Sequence, residues 1–469
     1  YLFLKFPLAI FNFRNTDVIL YHKNTCMKTI ITNKTIWTIA YPIILGSLAQ
    51  TLITLTDTAF LGRVSEVALG ASAMAGIYYY VFSTLAWGFS IGIQIIVARR
   101  LGEGKLNRIG VVFEHGLCFV FLLSMSLFLI QRYYSDVLLG ASIQSPNIYA
   151  AAMEYMSYRH YGIIFVCFNF LFRALYIGLS NTKIIGYSTA AMATINVIFN
   201  YLLIFGKFGF PELGVGGAAL ASVMAEISAC LIFIFYTILK LPIKQYALFS
   251  FHKLEGWLML TVLKTAFPTM LQKLLSFGTW YIFFMLIEHM GERPIAITII
   301  VRSVYMLILI PVFGYGATAN TLTSRLIGEQ RQPEIMSTLR RIVKLSMLSV
   351  LPVLLICYIF PHYVLSIYSN SSELIAASIP SLYVVGLAAL SFCFGITFFE
   401  AISGTGNTTH ALILESFVLI FYTFQTWLFT TAVRSDVAFV WTVEITYGIL
   451  IGVVSLLYLK YTKWQQKKV

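Results

Sequence analysis

Runs of about twenty apolar residues recur from one end of this chain to the other, and that is the length a helix needs to cross a bilayer. Twelve can be drawn, over residues 36–60, 70–98, 110–130, 155–178, 184–205, 216–239, 257–287, 295–323, 342–360, 379–402, 411–431 and 438–459. Hydrophobic residues form 59% of the 469-residue sequence and charged ones 11%, with a mean hydropathy of +0.83. Soluble domains do not have this balance. Backbone polar groups inside lipid must be satisfied internally, so only helices and closed barrels span. Barrel strands are short and alternate in character, whereas these runs are longer and uniformly apolar. The expected fold is an all-α integral membrane protein with twelve transmembrane helices. No polar stretch between runs is long enough to fold alone, which excludes a soluble catalytic domain.

The formal net charge of +13 reads as topology, not as nucleic-acid binding. Lys34, Arg99, Arg100, Lys105, Lys183, Lys240, Arg325, Arg341 and Lys460 all fall on one side of the expected membrane. The opposite loops hold only Arg63, Arg132, Lys207, Arg293 and Arg434. The positive-inside rule then puts both termini in the cytoplasm. The six cysteines have neither CxxC nor Cys/His ligand spacing and read as small buried hydrophobes. Residues 1–26 lack signal-peptide grammar. Met27 precedes the first span, so the stretch before it is expected to come from an extended gene reading.

Sliding the chain against itself by 226 residues reveals a duplication. Ala40 and Pro42 fall on Ala266 and Pro268, Tyr79 on Tyr305, Gly88 on Gly314, and Asn181 and Thr182 on Asn407 and Thr408. RRLGEGK from Arg99 falls on RLIGEQR from Arg325. Each repeat holds six spans, an even number, so both halves cross in the same direction. This predicts two six-helix lobes related by a pseudo-twofold along the membrane normal, with the natural ligand site between or within them. The expected organisation is an N-terminal extension over 1–27, a first lobe over 28–240, a cytoplasmic linker over 241–256, and a second lobe with a basic tail over 257–469.

LITLTDTAFLGR, residues 52–63, places Asp57 near the end of an apolar run. An ionised Asp there costs about 2.5–3.5 kcal/mol on insertion scales and calls for a function. Asn196 and Asn200 are four residues apart on the fifth span and share a face. They read either as helix-to-helix glue or as a polar shell around Asp57. Lys273 and Arg302 also fall inside runs and need partners, with Glu226, Glu288 and Glu400 as candidates. Glu400 can bind a cation or pair with an arginine. Glu415 and Glu444 are expected to be paired or to snorkel. Pro42, Pro268 and Pro311 permit kinks. Pro42 lies about 22 Å before Asp57 along a helix, which makes it a candidate hinge. GVGGA at 214–218 reads as close helix packing. P-loop, HExxH and GxSxG patterns are absent, so the chain is not expected to be an enzyme or to use ATP.

Several motifs occur in a telling order: Pro42, Gln50 and TDTAFLGRVSEVALGA, then ARRLGEGK, FRALYIGLSNTK, NVIFNYLLIFGKFGFPELGVGGAALAS and GTGNTTHA. In this order they resemble the MATE family (multidrug and toxic compound extrusion transporters), bacterial type, of the MOP flippase superfamily. The resemblance runs from about residue 28 to 460. It implies a multidrug efflux antiporter of the bacterial inner membrane, working by alternating access. Amphipathic organic cations would leave in exchange for H⁺ or Na⁺, with no cofactor and no metal site. The lipid bilayer and small-molecule cations are the expected partners, nucleic acid is not, and the chain is expected to be a monomer. Asp57, Asn196 and Asn200 would couple the cation. Gln50, Gln272 and Glu400 are candidates for substrate or for a second-lobe site, and Arg173 for a structural clamp. Some relatives have Asp where this chain has Asn200, which favours protons over a dedicated sodium site. The repeat places Phe283 opposite Asp57, so lobe two lacks that carboxylate. A flippase for lipid-linked or anionic substrates is the alternative, and it would line its cavity with Arg159, Arg173, Lys273 and Arg302.

Overall fold

The computed structural model describes residues 31–466. The expected extension, Met27 and Cys26 lie outside the described residues. Six helices form the first lobe: α1 (Asn33–Leu61), α2 (Glu66–Gly102), α3 (Asn107–Gly140), α4 in two pieces (Pro146–Arg159 and Gly162–Gly178), α5 (Lys183–Ile204) and α6 (Gly214–Lys240). Six more form the second: α7 (Gly256–Glu288), α8 (Glu292–Gly328), α9 (Ile335–Ile359), α10 (Ser372–Gly404), α11 (Thr408–Trp427) and α12 (Thr442–Tyr461). Eleven are long and apolar enough to span alone, and the bent pair in α4 completes twelve. The chain is a multi-pass membrane protein. Side-chain caps fix several starts: the Thr32 and Thr35 capping box for α1, Ser65 for α2, and Ser145 with Pro146 at the first turn for α4.

One expected span needs correction. The run 155–178 is not a single helix: α4 begins at Pro146 and bends by 56° across His160 and Tyr161. The residue just after the break is a glycine for a packing reason. A Cβ at Gly162 would collide with the carboxylate of Glu226 and the guanidinium of Arg159, whose pairing occupies that space. Pro42, by contrast, sits inside an uninterrupted α1.

The duplication is visible in how the lobes meet. Gly88 on α2 faces the backbone of Met270 on α7, and its repeat partner Gly314 on α8 faces Ile44 on α1. At the basic end, Gly102 lies against the carbonyl of Arg325 and Gly328 against the carbonyl of Arg99. No side chain fits at either position, so RRLGEGK and RLIGEQR are the two halves of one crossing. Arg99 spans it, donating from Nε to the Ser324 carbonyl at 3.1 Å and from Nη2 to the Thr405 carbonyl at 3.0 Å. Ser324 Oγ returns a bond to the Ile95 carbonyl at 2.7 Å. In this basic half one apolar core joins both lobes, including Val97, Phe172, Val262, Leu326 and Phe398. Towards the opposite end the cores separate. Leu61, Ala71, Tyr155 and Ala218 belong to lobe one, and Phe283, Val304, Leu382 and Trp441 to lobe two.

The linker is docked rather than slack. Its single helical turn, Ile243–Tyr246, leads into backbone that Glu114 of α3 holds. The Glu114 carboxylate accepts the N–H groups of Ser250, Phe251 and His252 at 2.7, 3.0 and 2.9 Å.

Candidate functional site

Three helices of lobe one build the site. Gly46 lets α1 approach Ile185 and Thr189 of α5, and Gly217 lets α6 approach the Leu203 carbonyl of α5. This packing brings Asp57 of α1 against the inner face of α5. Asn200 Nδ2 donates to Asp57 Oδ1 at 2.5 Å and is also 3.0 Å from Asn196 Oδ1. Asn196 Nδ2 donates to Ser222 Oγ of α6 at 3.3 Å, and Ser222 Oγ reaches Asp57 Oδ2 at 3.5 Å. The four side chains close a ring. Asn196 and Asn200 are fully buried, while Asp57 is half-buried. Asn200 Oδ1 is buried without a hydrogen-bond partner. Gln50 lies on the same face of α1 two turns away and is exposed.

One turn further along α6, Glu226 makes a two-pronged ion pair with Arg159 of α4, at 2.8 and 2.6 Å. Tyr79 OH donates to the same carboxylate at 3.2 Å, and the Arg159 guanidinium sits 3.8 Å from the centre of its ring. The sequence reading missed both Ser222 and the Arg159–Glu226 pair. The signal for them was available: Ser222 and Glu226 are i,i+4 on α6, as Asn196 and Asn200 are on α5.

Lobe two does not repeat this ring. The 226-residue offset places Phe283, Tyr422, Thr426 and Gly448 opposite Asp57, Asn196, Asn200 and Ser222. Phe283 is buried against Trp441 and Tyr422, with ring centres 5.1 and 5.9 Å apart. The polar groups of lobe two lie elsewhere. Lys273 Nζ of α7 is 3.7 Å from Glu400 Oε1 of α10, and Asn320 Nδ2 of α8 donates to Glu400 Oε2 at 3.1 Å. Glu415 and Glu444 neither snorkel nor form a salt bridge among the described residues. Both are buried and held by hydroxyls: Glu415 by Ser276 and Tyr447 at 2.8 and 3.0 Å, Glu444 by Tyr422 and Tyr305 at 2.8 and 3.1 Å.

The remaining candidates fall apart from the ring. Gln272 is buried in α7 with its side-chain oxygen unpartnered. Arg173 is half-buried without a hydrogen-bond or ion-pair partner among the described residues, whereas Arg159 is the arginine that ties α4 to α6. Arg302 makes no salt bridge among the described residues; its guanidinium lies 5.3 Å from the centre of the Phe284 ring. Among the described residues no three His, Cys, Asp or Glu side chains gather as a metal-holding group.

The sequence pattern of the MatE family matches residues 42–202 and, a second time, residues 268–427. The chain belongs to the MatE family. The two matches start at Pro42 and Pro268, the same pair that the internal duplication aligns. Among relatives, the probable multidrug resistance protein NorM of Synechocystis is 26% identical over 338 residues, covering 71% of this chain and 73% of its own length. That of Thermotoga maritima is 25% identical over 381 residues, covering 80% and 81%. Solved structures share the fold. An outward-facing MATE-family multidrug resistance transporter of the MOP superfamily superposes with a TM-score of 0.85 at 18% identity, over 93% of this chain and 97% of that one. A MOP superfamily transporter from Pyrococcus furiosus, described as having a binding pocket of reversed polarity, gives 0.83 at 19% identity, over 92% and 97%.

Proposed function

We propose that this protein is a secondary multidrug exporter, exchanging amphipathic organic cations for protons by alternating access, with Asp57 as the carboxylate that alternates between the two. The observation that carries the reading is what surrounds Asp57. Glu226 and Glu400 each have a resident cation, Arg159 and Lys273. Among the described residues Asp57 makes no salt bridge, and its hydrogen bonds come from Asn200 and Ser222, which are neutral. Its charge in a low-dielectric site therefore asks for a visiting partner, either a proton or a cationic substrate, and one arriving displaces the other. The unpartnered Asn200 Oδ1 can accept the hydrogen bond of a protonated Asp57 after an amide flip. One carboxylate in the ring, rather than two, favours H⁺ over Na⁺ as the coupling ion.

The remaining features support the same cycle. The lobes share a core in their basic half and have separate cores at the Asp57 end, as expected of a cleft open on that side. Reading the basic end as cytoplasmic makes this the outward-open state, with both termini in the cytoplasm and the protein in the bacterial inner membrane. Of the four basic residues that the flippase alternative would use, Arg159 and Lys273 face carboxylates, which weakens it, while Arg173 and Arg302 have no salt bridge among the described residues.

Dye efflux from cells lacking their own exporters tests the reading, with pH and Na⁺ gradients imposed separately. The wild type should extrude ethidium on the pH gradient, and Asp57→Asn should not. Equal efflux by both proteins would remove Asp57 from the mechanism. Absence of cation transport by the wild type would raise the flippase reading to first place.

A further inference from the structure

Lys273 is a cation already seated in a cation site. Its ammonium lies 3.7 Å from the Glu400 carboxylate and 5.0 Å from the centre of the Trp87 ring. Trp87 belongs to α2 and Glu400 to α10, so one wall comes from each lobe. A carboxylate and an aromatic face are what an organic ammonium or phosphonium ion requires. The pair lies beside the contact between the lobes. One residue along α2, Gly88 closes against Met270, and Thr269 Oγ1 donates to the Gly88 carbonyl at 2.7 Å. Towards the Asp57 end, the Tyr80 and Phe277 rings meet at 5.4 Å.

The lysine is held loosely. The 3.7 Å separation is too long for a direct hydrogen bond, and the second Glu400 oxygen is bound by Asn320 instead. Lys273 and Glu400 each keep about one-sixth of their side-chain surface exposed. We infer that the Glu400–Trp87 pocket is a second binding site for organic cations, held closed by Lys273 as a tethered competitor. Because the Lys273 stem is flexible and its ammonium strongly hydrated, it can swing out when a bulkier, less hydrated cation arrives. The pocket thereby selects large soft cations over Na⁺, since only the former gain enough from Trp87 to displace the lysine. The inference rests on the reading that the protein binds organic cations.

The test is equilibrium binding of tetraphenylphosphonium to purified full-length protein. It is run in the Asp57→Asn background, so that the lobe-one carboxylate does not contribute. Removing the competitor with Lys273→Gln should tighten binding by ~10-fold, equivalent to about 1.4 kcal/mol. Adding Glu400→Gln or Trp87→Leu should abolish the gain. Thermal unfolding of each variant shows that it is folded. Unchanged or weaker binding in folded Lys273→Gln overturns the inference, as does a gain that survives Glu400→Gln. Should Lys273→Gln fail to fold, Lys273→Arg decides: a larger, more weakly hydrated and better-fitting competitor should weaken binding, and no change overturns the inference. The outcome separates from that of the transport reading, because Glu400-dependent binding can be present in a protein that moves no dye, and absent in one that does.

Discussion

At the scale of residues, lobe one solves the problem of a charge in lipid in two ways. Glu226 is neutralised permanently, by two hydrogen bonds from Arg159 and one from Tyr79. Asp57 is only solvated, by Asn200 and Ser222. The two should respond differently to substitution. Arg159→Met leaves a buried carboxylate without its cation, and thermal unfolding in detergent should show a loss of about 3–5 kcal/mol. Arg159→Met with Glu226→Leu should recover most of it, since an apolar pair has no desolvation cost. Asn200→Ala removes a hydrogen bond to a charged group and should cost about 2 kcal/mol while severely impairing efflux. Asp57, Asn196 and Asn200 were legible in the sequence because a charge in an apolar run is conspicuous and an i,i+4 pair fixes a shared face. The Arg159–Glu226 pair was harder to read: the i,i+4 spacing of Ser222 and Glu226 offered a shared face, but nothing in the sequence set which arginine that face meets across the bend of α4. The lone Gly162 gives little notice of that bend.

At the scale of elements, the α2–α8 crossing holds the basic end shut. Gly102 and Gly328 allow backbone to touch backbone, and Arg99 and Ser324 stitch it. Gly328→Val should force the helices apart. A cysteine at Ser324, now fully buried, should then react with a maleimide that the parent excludes, in a background freed of other cysteines. Just beyond α2, burial pushes the Glu103 carboxyl up, but Arg100 at 2.7 Å and Lys105 at 3.0 Å outweigh it and hold it below the usual carboxylate range. A depressed folded value means that its stabilisation is present above the ordinary Glu value and is lost as pH falls through the folded one. Glu103→Gln should therefore flatten the acid limb of the stability profile. The RRLGEGK and RLIGEQR motifs were visible in the sequence as a repeat. Their role as one crossing was not, because it depends on two segments 226 residues apart meeting face to face.

At the scale of the molecule, the duplication gave the two lobes from sequence alone, and the structure shows where the copies have diverged. Structural devices are kept in both: the glycines of the crossing, and the Tyr79 and Tyr305 hydroxyls on buried carboxylates. The ring around Asp57 is kept in one, with Phe283 filling its counterpart. On the proposed reading, the exchange of a proton for a cation at Asp57 therefore belongs to lobe one, because lobe two keeps no counterpart of that ring. The most direct measurement of this claim is proton release when tetraphenylphosphonium binds to purified protein in weakly buffered solution below neutral pH, followed with a pH indicator. The account predicts that the wild type releases protons on binding and Asp57→Asn releases none. Release that persists in Asp57→Asn, or binding by the wild type with no release at any pH at which Asp57 is protonated, would contradict it.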